Sequence, residues 1–419
     1  MRRSSRDVFD EALLRSVEGL IEDVRVHGDA ALVEATERFD GVRLLPSELR
    51  IRPDELGQAE QHVPAAVLVG IDQAIDHVRR FNQHIVDHAA WQAEIAPGIH
   101  VGEQPTPIAR AGLYVPSGKG FFPSVMIHLG TPAVTAGVRD LAVIVPPVRG
   151  GAGAVDPAVL AVAVRLGITE IYRCNGVAGI AALAYGTETI RPVLRIDGPS
   201  SPAVTAAQVC VQRHGVAIGL LYGPSEAVIL ADATADPDLL AADLLNDAEH
   251  GADSAALLVA TDASLLDEVE GLFAARLNNL PEPRKQYAEA STTIYGGAFL
   301  AHDLEDALAF INEYAPEHLQ LAVADPESLA PMIRNAGEIL LGQGTPFVAA
   351  NFSVGIPNTL PTGGFARVSS GVTAHTYLKR SSLARVDAAA LRAMRRGVVA
   401  LAQYEGFPAH ANAMMAEGR

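Results

Sequence analysis

The strongest constraint on the fold of this chain is an alternation. Short apolar runs of strand length are followed repeatedly by segments whose apolar residues fall at helical spacing. LAVIV at 141–145 reads as a buried strand, 157–166 as a helix, 170–173 as a strand and 176–185 as a helix. A second series follows: strand 227–231, helix 237–249, strand 255–260, helix 265–277, then short strands at 298–302, 319–323 and 339–341. Helices placed between strands imply parallel sheets covered by those helices. The fold class is therefore α/β, in two successive domains.

The flanks differ. Residues 6–40 carry Phe9, Leu13, Leu14, Val17, Leu20, Ile21 and Val24 at helical spacing, then a short helix over 30–39; 55–90 is again helical and ends near Trp91. PIARAGLYVP at 107–116 is an apolar run that breaks into the turn SGKG. Residues 132–136 read as a short helix with Pro132 at its first position. Residues 344–380 are rich in Gly, Pro, Ser and Thr, and such length without regular structure is usually functional. Helices at 387–402 and 408–417 close the chain.

Composition narrows the function. With 419 residues, 49% of them hydrophobic and 19% charged, the chain can bury the cores of two or more domains. It has no apolar run of membrane-spanning length, and no apolar stretch follows the arginines of MRRSSRDVFDE, so neither a membrane span nor a secretory signal is expected. Two cysteines, Cys174 and Cys210, make no disulfide framework and suit a reducing cytoplasm. A net charge of −17 argues against nucleic acid or an anionic membrane as partner. The expectation is a cytoplasmic enzyme acting on a small molecule.

Three places combine titratable groups with a suitable setting. In DLLNDAEHGAD (243–253), Asp247 and His250 lie three residues apart on the last turn of a helix expected to end at a left-handed Gly251. A carboxylate and an imidazole on a rigid helix end make half a metal site. The competing reading, stronger for the pair alone, is a histidine at the negative end of a helix. In YAPEHL, Glu317 and His318 precede a strand, and Pro316 keeps the backbone before them out of helix. They suit acid/base work, with a turn-capping glutamate and a surface histidine as the alternative. Glu405 and His410, in the tail sequence EGFPAH, would by themselves read as a solvated end. GGAGA at 150–154 follows a strand but lacks the third glycine of a dinucleotide loop, and Lys119 in SGKG is placed to approach a phosphate or a carboxylate.

The stretches AGLYVPSG, IAALAYGTE, GPSEAVILAD, DLLNDAEHGADSAALLV, EYAPEHL, AGEILLG, LPTGGFARVSSG and EGFPAH, in that order over most of the chain, resemble histidinol dehydrogenases. The resemblance implies a zinc-dependent enzyme that uses NAD twice, taking an amino alcohol through a bound aldehyde to a carboxylate. It also implies a homodimer of two incomplete Rossmann-like domains whose extended C-terminal tail is swapped onto the partner. Carried onto this chain, the division is an N-terminal helical arm (1–22), a first domain (23–113 with 227–372), a second, dinucleotide-side domain (114–226) and a tail (373–419). The acid/base pair falls on Glu317 and His318. Ser225 and Glu405 match substrate contacts, and His250 and His410 match metal ligands.

The departures fall on binding. A ligand glutamine is replaced by Asp247 and a ligand aspartate by Asn351, two changes that offset each other in charge and leave two imidazoles, a carboxylate and an amide for Zn²⁺. The opposing reading is coincidence in a metal-free relative. A substrate-side histidine becomes Asn358. At the dinucleotide Tyr114 is kept, but polar partners become Ala178 and Ser201, each loss worth roughly a kcal/mol or more unless replaced. Lys119 offers a new contact, and NADP stands beside NAD. These changes point to a substrate other than histidinol. Authentic histidinol dehydrogenase and a silent binding relative remain the alternatives.

Overall fold

In the computed structural model, which describes residues 10–117 and 120–416, the alternation resolves into two parallel sheets and a small antiparallel one. Phe9 and Lys119 lie outside the described residues. Strands β1 (Trp91–Ala96) and β2 (Ile99–Pro107) form a hairpin, and β13 (Leu378–Val386) pairs antiparallel with β2 along its whole length. The first parallel sheet contains β3 (Arg110–Tyr114), β4 (Asp140–Val145), β5 (Glu170–Arg173), β6 (Arg195–Asp197) and β7 (Ala217–Ile218), in the order β5-β4-β3-β6-β7. The second contains β8 (Glu226–Ala231), β9 (Ala255–Ala260), β10 (Gly297–Leu300), β11 (His318–Ala322) and β12 (Glu338–Leu341), ordered β10-β9-β8-β11-β12. Both orders have one topology: the chain starts in the middle, winds to one edge, then crosses to the other.

Local chemistry sets the helix starts. Asp156, Asp236 and Asp262 each accept two backbone N–H groups at a helix N-terminus, and Pro157 and Pro237 occupy the first helical turn, where a missing N–H costs nothing. The helix expected at 132–136 starts earlier, spanning Pro123–Thr135. Pro123 holds its first turn and Pro132 lies inside it, because the apolar stretch MIHLG continues the helix upstream. The helix Pro237–Ala248 is capped by Glu249 in the right-handed region and not by Gly251. The three-stranded sheet was not anticipated. Most residues of β1 and β13 are exposed whichever face they point to, so they carry no apolar alternation to read.

The N-terminal segments pack around the first sheet. Strand β3 is the middle strand of the first sheet, paired with β4 and β6, so that sheet begins before residue 114. Helices Glu11–His27 and Asp29–Asp40 bury Val17, Ile21, Val24 and Leu32 against Ala142, Ile144, Tyr172 and the helix Gly176–Tyr185. Helix Ala65–Asp87 packs on Pro123–Thr135 and reaches the turn Ala350–Val354, where the His77 ring lies 2.5 Å from the Ser353 carbonyl. Much of 23–90 thus packs with the first sheet, while 91–107 form the hairpin that pairs with β13. The second sheet is sandwiched between helices Pro237–Ala248 and Ala263–Leu277 on one face and Leu304–Tyr314 on the other. Among the described residues, no helix is long and apolar enough to cross a membrane.

One contact fixes how the ends of β3 and β6 meet. Gly198, just after β6, has φ +147°, and a Cβ there would lie 2.1 Å from the Tyr114 carbonyl oxygen. Gly198→Ala is expected to lower the unfolding free energy by ~2 kcal/mol or more, through strained backbone and a displaced Tyr114. The midpoint of urea denaturation checks this; an unchanged midpoint contradicts it.

Candidate active site

A cleft of about 1080 Å³ runs between the two parallel sheets. The first sheet faces it with the C-terminal ends of its strands: Tyr114 ends β3, Asn175 follows β5, and Ser201 follows β6. The second sheet faces it with the opposite ends. Ser225 precedes β8, His318 is the first residue of β11, and His250 follows the helix that returns from β8. Asn351 and Asn358 close that side from the loop after β12.

Glu317 and His318 lie at the floor, both buried. Their approach is unusual: helix Leu304–Tyr314 stops at Ala315 in the left-handed region, φ +55°, and Pro316 follows. Strand pairing then takes over, with the Gly337 N–H donating to the Pro316 carbonyl and the Glu338 N–H to that of Glu317. Gly337 is required here, since a Cβ would lie 2.5 Å from the Glu317 carbonyl oxygen. The Glu317 side chain is oriented by two donors to Oε2, the Ser225 hydroxyl and the Glu226 N–H, each at 3.0 Å. Its Oε1 lies 3.7 Å from His318 Nε2. Burial pushes the Glu317 carboxyl up to about 7, even though His318 and the Glu226 N–H favour its charged form. For His318, burial works against the imidazolium. The facing carboxylates outweigh it, Glu317 first and then Glu338, and hold the ring at about 10.

The expected metal pair is present in part. Asp247 is fully buried, and its Oδ1 has no hydrogen-bond partner. His250 Nδ1 lies 3.6 Å from that oxygen. Asn351 is also buried, and its Oδ1 accepts a 2.6 Å bond from Asn358 Nδ2. Beneath it, the buried ring of His128 hydrogen-bonds the Asn351 backbone, and burial pulls this imidazole down to about 4, so it is neutral. Among the described residues, no three His, Cys, Asp or Glu side chains gather into a metal-binding group. An uncompensated carboxylate oxygen in a dry setting nevertheless fits a cation, because leaving it unpaired costs more than pairing it.

On the dinucleotide side, Asn175 caps the helix Gly176–Tyr185, whose first turn opens onto the cleft. Gly176 lets that turn sit against the Tyr114 hydroxyl; a Cβ there would lie 2.8 Å from it. A helix start beyond the carboxyl ends of parallel strands is a fitting cradle for a pyrophosphate. Ser201 lines the cleft as the residue capping Pro202–Gln212. Ala178, in the first turn of the same helix, is buried and does not line the cleft.

The tail residues stand apart. Glu405 and His410 are exposed, and neither borders the cleft of its own chain. Helices Ala388–Tyr404 and Pro408–Met414 pack on each other, leaving Leu401, Tyr404 and Phe407 exposed. Sequence reasoning passed over Glu338, Glu226 and His128. For Glu338 the signal was in view, in the AGEILLG stretch, but nothing in one dimension marks it as the neighbour of His318.

A sequence model of the family described as histidinol dehydrogenase matches residues 2–417. The histidinol dehydrogenase of Synechocystis sp. is 42% identical over 99% of this chain and 94% of its own length. A histidinol dehydrogenase homolog 2 from Mesorhizobium japonicum is 38% identical over 99% of this chain and 93% of its own. The crystal structure of histidinol dehydrogenase from Elizabethkingia anophelis superposes with a TM-score of 0.92 at 33% identity, covering 97% of this chain and 92% of that one. The chain belongs to the histidinol dehydrogenase family, whose members are NAD-dependent, zinc-binding dehydrogenases acting on CH–OH groups.

Proposed function

We propose that this protein is a cytoplasmic enzyme that oxidises L-histidinol, through a bound aldehyde, to the carboxylate. The observation that carries this reading is the buried Glu317/His318 pair at the floor of the cleft. The departures at Asn351 and Asn358 pointed to another alcohol. Relatives about as similar carry the histidinol dehydrogenase name, and nothing in the comparisons favours a different substrate. A second reading rests on Asn358, whose amide is engaged with Asn351 and offers no imidazole to a substrate.

When bound, NAD supplies the hydride acceptor for each oxidation and zinc a Lewis acid for the substrate's donor atoms. His318, in its neutral form, takes the hydroxyl proton through Nε2 as the carbinol C–H leaves as hydride; because the facing carboxylates hold the ring's proton affinity up, this step is favoured by raising the pH. Glu317, aimed by Ser225 and the Glu226 N–H, then takes a proton from water as its oxygen adds to the aldehyde carbon. After losing its first proton to solvent, His318 removes the hydroxyl proton of the resulting hydrate in the second oxidation, as the hydrate's C–H leaves as hydride. Glu317 can accept a proton only when ionised. Because its carboxyl is held up to about 7, the addition of water to the aldehyde rises with pH through that value instead of levelling off in the usual carboxylate range. Asp247, His250 and Asn351 would hold the metal. Glu405 and His410 of the partner subunit would complete the site in a homodimer, which the exposed apolar tail helices suit. NADP is the alternative to NAD.

Incubating the enzyme with L-histidinol and NAD tests the substrate: two NADH per molecule and L-histidine support the reading, and no turnover sinks it. Glu317→Gln should cut acid formation by about a hundredfold while still delivering aldehyde to a semicarbazide trap. Normal acid production by that variant would remove Glu317 from the role. Elemental analysis should find close to one zinc per chain, lost in Asp247→Ala; equal metal content in both proteins would mean that Asp247 is not a ligand.

A further inference from the structure

Glu338 has no part in the steps above, yet it is among the most constrained carboxylates in the molecule. It is the first residue of β12, and parallel pairing sets it directly beside His318, the first residue of β11. Its Oε1 lies 2.6 Å from His318 Nδ1. The two side chains are only 3% and 5% exposed, so water does not compete for this bond. The second oxygen, Oε2, has no hydrogen-bond partner, which leaves His318 as its one neutralising contact among the described residues. The edge of Phe347 closes the remaining side of the imidazole, with ring centroids 5.9 Å apart.

We propose that Glu338 is the positioning residue of His318, fixing the proton on Nδ1 so that Nε2 is the nitrogen presented to the reacting hydroxyl. The proposal rests on the reading that His318 transfers the proton. A ring held at Nδ1 by a buried carboxylate has one tautomer and one orientation, and its other nitrogen is the more basic for it. With Nδ1 committed at 2.6 Å, Nε2 is directed toward the cleft, 3.7 Å from Glu317 Oε1. A hydroxyl proton can then be taken by Nε2 while the Nδ1 proton stays in place against Glu338. No net proton is exchanged with Glu338 at any step.

Other charged groups face this ring and set the background. Glu317 adjoins it, Asp247 acts from the helix above, and both raise its proton affinity. Glu226 on β8 faces Glu317, and Asp243 bonds to Gln320 two residues along β11. His250 Nδ1 lies 3.6 Å from Asp247 Oδ1. Removing the Glu338 charge therefore lowers, and does not abolish, the proton affinity of His318.

The test uses the full-length enzyme and two variants, Glu338→Gln, which keeps the shape without the charge, and Glu338→Asp, which keeps the charge. With L-histidinol and NAD, Glu338→Gln is expected to lose about tenfold or more in kcat, KM staying within about threefold. The acidic limb of its pH profile should move to lower pH, because a base of lower proton affinity is free at lower pH. Glu338→Asp should restore the limb toward that of the unaltered protein. A fall in kcat with the limb unmoved in both variants would show a merely structural role and overturn the proposal. Proton and ¹⁵N NMR of the histidine-labelled, unaltered enzyme, with His318→Asn for assignment, gives a reading independent of turnover and of the variants' folding. A downfield Nδ1–H on His318 that persists at high pH, once Nε2 has lost its proton, supports the proposal. A neutral ring protonated at Nε2 refutes it, whichever alcohol the enzyme oxidises.

Discussion

The candidate site depends on the parallel register of three adjacent strands. Because β11 pairs with β8 on one side and β12 on the other, His318 stands opposite both Ala227 and Glu338. That register brings the Glu226 N–H to Glu317 Oε2 and the Glu338 carboxylate to the His318 ring. A slip of one residue would turn both side chains to the other face of the sheet. Ala315 in the left-handed region, Pro316, and the absence of a Cβ at Gly337 all serve the same junction, ending a helix abruptly so that the strand can begin on a titratable residue.

Burial then gives these groups their chemistry. Glu226, Glu317, Glu338, Asp243 and Asp247 are all buried around one imidazole. In water such a cluster would be unremarkable. Here each carboxylate must find a donor, a proton or a cation. Glu317 has two donors and a raised affinity for a proton, Glu338 has His318, and Asp243 has Gln320. Asp247 accepts the Asn246 amide on Oδ2, but its Oδ1 has no hydrogen-bond partner, and that oxygen lies where the sequence resemblance puts a metal.

The two parallel sheets were legible because their strands are short apolar runs set between capped helices. LAVIV, with its Asp-Pro helix start downstream, announces itself. The antiparallel sheet was not legible, since β13 exposes nearly every residue and has no inner face to pattern. Of the candidate site, Glu317, His318, Ser225, His250, Asn351 and Asn358 meet at one cleft, and Tyr114 and Ser201 face them across it. Ala178 does not, because a residue that aligns with a polar one can still be a core alanine. Glu338 was invisible as a partner for a different reason. Twenty residues separate it from His318, and only strand order makes them neighbours.

The two sheets meet the cleft with opposite ends, and this has an electrical consequence. Along the first sheet, the starts of helices Gly176–Tyr185 and Pro202–Gln212 open onto it and carry partial positive charge. Along the second, the ends of helices Pro237–Ala248 and Leu304–Tyr314 approach it and carry partial negative charge. The cleft therefore has a polarity of its own, with an anion-seeking lip and a cation-seeking lip. A long occupant with phosphates at one end, followed by one bearing an ammonium group, would be sorted head to tail by that field before any side chain touched either of them.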